Sequence, residues 1–94
     1  MCGFVGFLNY SFKYSANECI NITKLMAKQI IHRGPDDNGF WSSTDGKINL
    51  AHQRLSIQDL SQAGHQPMHS SGKRFTLVFN GEIYNHLELR RLFD

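Results

Sequence analysis

Cysteine is scarce in this sequence, and the motifs that commonly bind metal are missing. Cys2 and Cys19 are the two cysteines among 94 residues, which is too few for the disulfide framework of a small secreted domain. No HExxH or CxxC pattern occurs. Pro67 stands between His65 and His69, so these histidines are not expected to share a helix face as metal ligands. The sequence therefore predicts no metal site.

Strong charge and long apolar runs are also missing. The formal net charge is +2, which gives no reason to expect nucleic acid or a membrane as a partner. No apolar stretch approaches the roughly 20 residues of a membrane-spanning helix, and the first residues lack the basic segment of a secretory signal. With 40% hydrophobic and 19% charged residues, the composition is typical of one small soluble domain. We expect a cytoplasmic location.

The first third of the chain predicts a strand followed by an amphipathic helix. The apolar segment from Cys2 to Leu8 is rich in β-formers and indicates a buried strand. Ser15 and Glu18 match a capping box, so we expect a helix from about Ala16 to His32, stopped by Gly34-Pro35. The apolar stripe of this helix consists of Cys19, Ile22, Leu25, Met26 and Ile30.

The middle of the chain predicts a hairpin and then a loop. Phe40-Trp41-Ser42-Ser43 precedes Asp45-Gly46, a dipeptide typical of tight turns. After it, one set of alternating positions holds Ile48, Leu50, His52 and Arg54, and the other holds Asn49, Ala51, Gln53 and Leu55, which suggests a strand pair. The segment from Gln58 to Gly72 is polar and without period, so it is expected to be a loop.

A strand and a helix are predicted at the C-terminal end. Phe75–Phe79 reads as a strand that ends at Asn80-Gly81, another turn dipeptide. A helix is expected to begin near Asn85. It has no stop signal before Asp94, so we expect the chain to be a truncated, N-terminal portion of a larger domain.

Cys2 is a candidate nucleophile because it follows the initiator methionine. Removal of Met1 would leave Cys2 with both a thiol and a free α-amino group. Reference pKa values of about 8.5 for a thiol and about 7.7–8.0 for an α-amine allow the two groups to exchange a proton near neutrality. The amine could then serve as the base for the thiolate. The alternative is a cysteine that only packs, which is the commoner role.

Two further groups suit an amidase that acts on an amino acid. The Asn80 side chain and the Gly81 N–H could both point at one developing oxyanion, although Asn-Gly is also an ordinary turn. Arg54 could bind a carboxylate with two hydrogen bonds, and Glu82 could accept from an ammonium group. The alternative for Arg54 and Glu82 is a pair of ordinary surface charges.

Several short motifs and the single residue Gly39 occur together, in a fixed order along the chain. They are Met1-Cys2-Gly3, His32-Arg33-Gly34-Pro35-Asp36, Ala51-His52-Gln53-Arg54-Leu55-Ser56-Ile57, Gln66-Pro67 and Asn80-Gly81-Glu82-Ile83-Tyr84-Asn85. The chain resembles the class II glutamine amidotransferase domain, which has an N-terminal nucleophile, and most closely the glutaminase domain of asparagine synthetases. The resemblance covers essentially all 94 residues.

This resemblance implies the roles of individual residues in glutamine hydrolysis. Cys2 would attack the side-chain amide of L-glutamine, its own amine would relay the proton, and water would hydrolyse the thioester to glutamate. Asn80 and Gly81 would form the oxyanion hole. The implied substrate-binding residues are Arg54 for the α-carboxylate, Glu82 for the ammonium group, and Leu55, Ser56, Ile57, Gln58, Asn80 and Gly81 around the pocket.

The resemblance also implies a fold and partners. The expected fold is α+β, part of a four-layer αββα sandwich of the Ntn-hydrolase type with mainly antiparallel sheets. The parent protein would carry a synthetase domain that uses ATP and Mg²⁺, whereas the present chain would need no cofactor. A homodimer is compatible with this. Two alternatives stay open, namely transfer of ammonia to a sugar or peptide acceptor, and a truncated, catalytically silent interaction module.

Overall fold

The secondary structure mixes helices and antiparallel strands, as the sequence predicted. The structure is a computed structural model, and it describes residues 2–11, 13–56, 62–81 and 83–93. The described elements are β1 (Gly3–Leu8), α1 (Ala16–Gln29), β2 (Asp37–Ser42), β3 (Ile48–Arg54), β4 (Met68–His69), β5 (Thr76–Leu77) and α2 (His86–Phe93), together with short 3-10 turns at Ile31–Arg33 and Gln62–Gly64. The fold is therefore α+β.

A three-stranded antiparallel sheet has the strand order β1-β3-β2. Gly3 pairs with Gln53 at one end of β1, and β2 joins β3 through the predicted hairpin. Gly46 has a φ of 75°, which the missing Cβ makes easy to adopt. The Asp45 carboxylate accepts hydrogen bonds from the Ser43 hydroxyl at 2.7 Å and from the Lys47 N–H at 3.0 Å. The hairpin prediction is confirmed, and β3 becomes the central strand of the sheet.

The start of α1 is held by the predicted capping box. The Ser15 hydroxyl accepts from the Glu18 N–H at 3.2 Å, and the Glu18 carboxylate accepts from the Ser15 N–H at 3.0 Å. The end of the helix was predicted too late. Ile30 leaves helical geometry with a ψ of 15°, and the Gly34 N–H then bonds the Ile31 carbonyl at 3.2 Å. The last predicted turn is therefore a separate 3-10 turn.

Small side chains form the buried face of α1. Cys19, Thr23 and Ala27 are buried, and the Gln53 side chain of β3 donates to the Ala27 carbonyl at 3.4 Å. The predicted stripe was wrong for Leu25, which is 61% exposed. The Gln53 side chain reaches the helix backbone, and the small residues on this face of the helix allow that close approach.

The second half of the chain forms a two-stranded sheet of β4 and β5. The predicted strand 75–79 was too long, because β5 ends at Leu77. The predicted loop 58–72 contains the turn Gln62–Gly64 and β4, while residues 57–61 lie outside the described residues. The predicted final helix is confirmed as α2. No helix in the described ranges is both long enough and apolar enough to cross a membrane.

Candidate active site

The thiol of Cys2 lies against the backbone at the end of β3. Cys2 immediately precedes β1, whose pairing of Gly3 with Gln53 brings the N-terminus beside the last residues of β3. The Leu55 N–H donates to Cys2 Sγ at 3.3 Å, and Sγ lies 3.6 Å from the Leu55 carbonyl oxygen. The half-buried Cys2 side chain is thus held in place beside a donor.

The turn that follows α1 also holds Cys2. Arg33 Nε donates to the Cys2 carbonyl oxygen at 3.1 Å. Gly34 is buried and lies so close to the Gln53 carbonyl and the Arg54 nitrogen that a Cβ at this position would collide with them. The missing side chain therefore lets the turn pack directly on β3. Arg33 belongs to a motif that was recognised in the sequence, but no role was predicted for it.

Asp36 links the same turn to the residues after β3. Its N–H donates to the Arg54 carbonyl at 2.9 Å, and its carboxylate accepts from the Ser56 N–H at 2.9 Å. One bond joins two backbone groups and the other joins the Ser56 backbone to the Asp36 side chain, and both tie the turn to the end of β3. The segment that contains Leu55 and Ser56, both predicted as substrate-binding residues, is thereby fixed beside Cys2.

Arg54 lies on the face of the sheet that α1 does not cover. Side chains alternate along a strand, so Arg54 and His52 point away from the helix that Gln53 contacts. Arg54 is 7% exposed, and its guanidinium lies so close to Gly64 that a Cβ there would collide with it. A carboxylate bound by Arg54 would be shielded from water, which strengthens charge-assisted hydrogen bonds.

Asn80 and Gly81 reach this same face through Phe79. His52 Nε2 lies 3.3 Å from the Phe79 carbonyl oxygen, and the Phe79 N–H donates to Gln66 Oε1 at 2.7 Å. Asn80 and Gly81 are themselves exposed. The structure thus brings Cys2, Arg54, Leu55 and Ser56 together at one end of β3 and connects the predicted oxyanion pair to His52, two residues earlier on that strand.

His52 was not predicted as a site residue. It is 1% exposed, and burial lowers the pKa of its imidazole below the usual value of 6.5, opposed in part by the hydrogen bond to the Phe79 carbonyl and by the charge of Asp37. Asp37 also pairs with His65 at 2.6 Å. His52 belongs to a matched motif, but its partnership with Phe79 spans 27 residues and has no local signal.

Three predicted site residues, Ile57, Gln58 and Glu82, lie outside the described residues, so their roles stay predictions. Within the part of the chain that the structure describes, no group of three or more His, Cys, Asp or Glu side chains converges as a metal site.

Comparison with known proteins identifies the class of domain. Residues 1–94 match the glutamine amidotransferase domain, and the chain belongs to that family. It is 39% identical over 90 residues to asparagine synthetase (glutamine-hydrolyzing) 1 of Bacillus subtilis, covering 96% of this chain and 14% of the relative. It is 39% identical over 110 aligned positions to a putative asparagine synthetase (glutamine-hydrolyzing) 2 of Methanocaldococcus jannaschii, covering 100% of this chain and 21% of the relative.

A plant asparagine synthetase is similar to the chain at a comparable level of identity. The chain is 41% identical over 93 residues to the asparagine synthetase (glutamine-hydrolyzing) of Sandersonia aurantiaca, covering 97% of this chain and 16% of the relative. The chain therefore spans between 14% and 21% of the length of these three relatives. No solved structure matches the chain.

Proposed function

We propose that this chain hydrolyses the side-chain amide of glutamine, with Cys2 as an N-terminal nucleophile, and supplies the ammonia for asparagine synthesis in the intact protein. The observation that carries the proposal is the position of Cys2 Sγ, 3.3 Å from the Leu55 nitrogen, one residue after the buried Arg54. The family match supports glutamine as substrate, and the names of the relatives support asparagine as product.

The chemistry begins with transfer of the Cys2 thiol proton to the α-amine of the same residue. The thiolate then forms a bond to the side-chain carbonyl carbon of glutamine, and negative charge develops on the amide oxygen. The Asn80 side-chain amide and the Gly81 N–H donate to that oxyanion. The α-amine returns its proton to the leaving nitrogen, so that ammonia departs and a thioester remains. Water attacks the thioester and releases glutamate.

Substrate is held by groups around the end of β3. Arg54 binds the α-carboxylate of glutamine with two hydrogen bonds, and Glu82 accepts from the ammonium group. Backbone groups of Leu55, Ser56, Ile57 and Gln58 form the pocket wall between these charges. We place these elements in an αββα sandwich of the Ntn-hydrolase type, of which the three-stranded sheet and α1 form one sheet and one helical layer.

The acceptor chemistry belongs to a partner domain. Relatives named as asparagine synthetases are several times longer than this chain, and ATP with Mg²⁺ would act in a synthetase domain of the intact protein. The residues of the present chain supply the glutaminase half of the reaction, which needs no cofactor.

The test compares the two cysteines in the intact protein. We expect mature protein to lack Met1 by intact-mass measurement. Cys2→Ala should reduce glutamine-dependent synthesis by roughly 10³-fold or more, as removal of a nucleophile does, while ammonia-dependent synthesis persists. Cys19→Ala is the matched control, because Cys19 is buried against the sheet side of α1. Glutamine turnover by Cys2→Ala, or full activity with Met1 retained, would refute the proposal.

A further inference from the structure

Two side chains hold the backbone of Phe79 from opposite sides. Gln66 accepts a hydrogen bond from the Phe79 N–H at 2.7 Å, and His52 lies 3.3 Å from the Phe79 carbonyl oxygen. β5 ends at Leu77, so Phe79 is not part of a described strand. Phe79 is 40% exposed, and side chains rather than a strand ladder bond both of its backbone groups.

The role of His52 in this contact is fixed by chemistry. A carbonyl oxygen can only accept, so His52 Nε2 must carry the proton. The side chain is 1% exposed, and its Nδ1 has no hydrogen-bond partner among the described residues. A buried unsatisfied nitrogen is unfavourable, whereas an apolar side chain of similar size would carry no such cost. The bond to Phe79 is therefore the interaction that histidine provides at this position.

The hydrogen bond between His52 and the Phe79 carbonyl affects the orientation of the next two residues, Asn80 and Gly81. The Phe79 carbonyl and the Asn80 N–H belong to one planar peptide unit, so holding the carbonyl also fixes the plane from which Asn80 departs. The Phe79 ring covers Gly81, since a Cβ on Gly81 would lie 3.0 Å from the Phe79 Cζ. Phe79 thus directly precedes Asn80 in the chain and has its ring beside Gly81.

We propose that His52 and Gln66 are positioning residues of the oxyanion hole, which hold Phe79 and thereby orient the Asn80 amide and the Gly81 N–H. This inference rests on the proposed function, because it requires an oxyanion to form at this place. Neither side chain touches substrate. Donors must lie within about 2.7–3.1 Å of the oxyanion to be effective, so a shift of Phe79 reduces the stabilisation of the transition state.

The test uses pairs of variants in the intact protein. His52→Leu removes the donor while keeping an apolar volume, and His52→Gln keeps an N–H donor at a similar distance from the backbone. We expect His52→Leu to lower the kcat for glutamine hydrolysis about 10- to 100-fold, less than the loss of a direct oxyanion donor. The KM for glutamine should change less than about threefold, since a transition-state effect leaves ground-state binding intact. His52→Gln should recover most of the kcat.

Gln66 gives an independent test from the other side of Phe79. Gln66→Leu removes the acceptor, and it should lower kcat in the same direction. In a protein that already carries Asn80→Ala, the His52→Leu change should lower kcat little further. The effects of two substitutions are not additive when both act through the same group. His69→Leu is the matched control, since the exposed His69 bonds Thr76 in the small sheet, and it should keep the full kcat.

Alkylation of Cys2 by iodoacetamide separates positioning from loss of structure. That reaction displaces iodide at carbon and forms no oxyanion, so its rate should stay within about twofold in His52→Leu if only the oxyanion donors have moved. Unchanged kcat in both His52→Leu and Gln66→Leu would overturn the inference. So would a parallel fall of kcat and the alkylation rate. If Cys2→Ala still hydrolyses glutamine, it is the proposed function that fails, which the same assay distinguishes.

Discussion

Arg54 combines a permanent positive charge with near-complete burial. Only 7% of the residue is exposed, and its guanidinium packs beside Gly64. A buried charge is unfavourable unless polar or charged groups surround it. Its backbone lies one residue before Leu55, whose N–H bonds the Cys2 sulfur, so a buried cation and the candidate nucleophile belong to the same end of β3.

Replacement of Arg54 tests whether that cation binds substrate. In the intact protein, Arg54→Ala should raise the KM for glutamine roughly 10- to 100-fold, because a hydrogen bond to a charged group contributes about 1.5–3 kcal/mol. Arg54→Lys should recover the KM only in part, since lysine cannot form the two-point contact. Steady-state kinetics with glutamine and with ammonia provide the measurement.

The matched control is Arg74→Ala. Arg74 is exposed and lies over the Phe75 ring at 5.2 Å, outside the three-stranded sheet that holds Cys2 beside β3. An unchanged KM in Arg54→Ala, or an equal loss of ammonia-dependent synthesis, would contradict the assignment of Arg54 as the carboxylate-binding residue.

The chemistry of single residues explains which parts of the site the sequence revealed. Cys2 follows Met1 and Arg54 ends a strand, so both could be recognised from their neighbours. His52 and Gln66 could not, because their shared partner Phe79 is 27 and 13 residues away in the chain. Such contacts depend on the tertiary structure. A short motif identifies a residue, but it does not show which distant residue that side chain contacts.

The turn between α1 and β2 is the element that organises the site. It carries three bonds to the surrounding chain, from Arg33 to Cys2, from the Asp36 N–H to Arg54, and from Ser56 to the Asp36 carboxylate. The 3-10 turn Ile31–Arg33 lets the chain leave the helix early enough to reach β3. Helix α1 ends at Gln29, and the turn that follows places Arg33 Nε 3.1 Å from the Cys2 carbonyl oxygen.

Gly34 makes this close packing testable. In Gly34→Ala the added Cβ would collide with backbone atoms of Gln53 and Arg54, which cannot move like the end of a flexible side chain. We expect a destabilisation of about 1–3 kcal/mol, typical of forcing atoms into a packed site. The midpoint of thermal unfolding should fall, and glutamine-dependent activity should decrease more than ammonia-dependent synthesis.

Gly72→Ala serves as the control for this substitution. A Cβ at Gly72 meets no atom within 4 Å, so the variant should keep the wild-type unfolding midpoint and activity. If Gly34→Ala behaves like Gly72→Ala, the turn does not depend on direct backbone contact with β3, and its proposed role in holding the site is wrong.

Elements with local determinants were predictable, and those with distant partners were not. The capping box lies within Ser15–Glu18 and the hairpin turn within Ser43–Lys47, so short-range residue types were sufficient. The predicted strand at 75–79 was too long because the Phe79 backbone bonds Gln66 and His52 instead of another strand. A hydrophobic pattern indicates that the backbone is extended, but it does not identify the groups to which that backbone forms hydrogen bonds.

At the scale of the whole molecule, the described residues form a thin and incompletely covered fold. The fully buried apolar side chains among them are small, namely Cys19, Ala27 and Ala51. The Cα radius of gyration is 14.7 Å, with a shortest extent of 18 Å, whereas a compact chain of this length would have about 12 Å. Large apolar residues stay exposed on the three-stranded sheet, just before β5 and on α2, among them Phe4, Phe40, Phe75, Leu92 and Phe93.

This exposure leads to a prediction about a polypeptide of these 94 residues produced alone. Exposed apolar patches of this kind mark missing contacts or a tendency to aggregate, and the small buried core contributes little stability by itself. Phe93 is 83% exposed, so α2 has few contacts that would fix it. We expect the isolated polypeptide to bind an apolar dye such as ANS and to self-associate, measured by fluorescence and by light scattering.

The lack of supporting contacts should also lower the activity of the isolated polypeptide. Catalytic groups need placement to within about half an ångström, supported by surrounding structure, and Asn80 and Gly81 are exposed at the start of the segment that leads to α2. The isolated polypeptide with Met1 removed should therefore release glutamate from glutamine far more slowly than the intact protein. A Cys2→Ala version of the polypeptide defines the background. Cys2-dependent turnover equal to that of the intact protein would show that these residues need no further chain to organise the site, and it would contradict the prediction that they form only part of a domain.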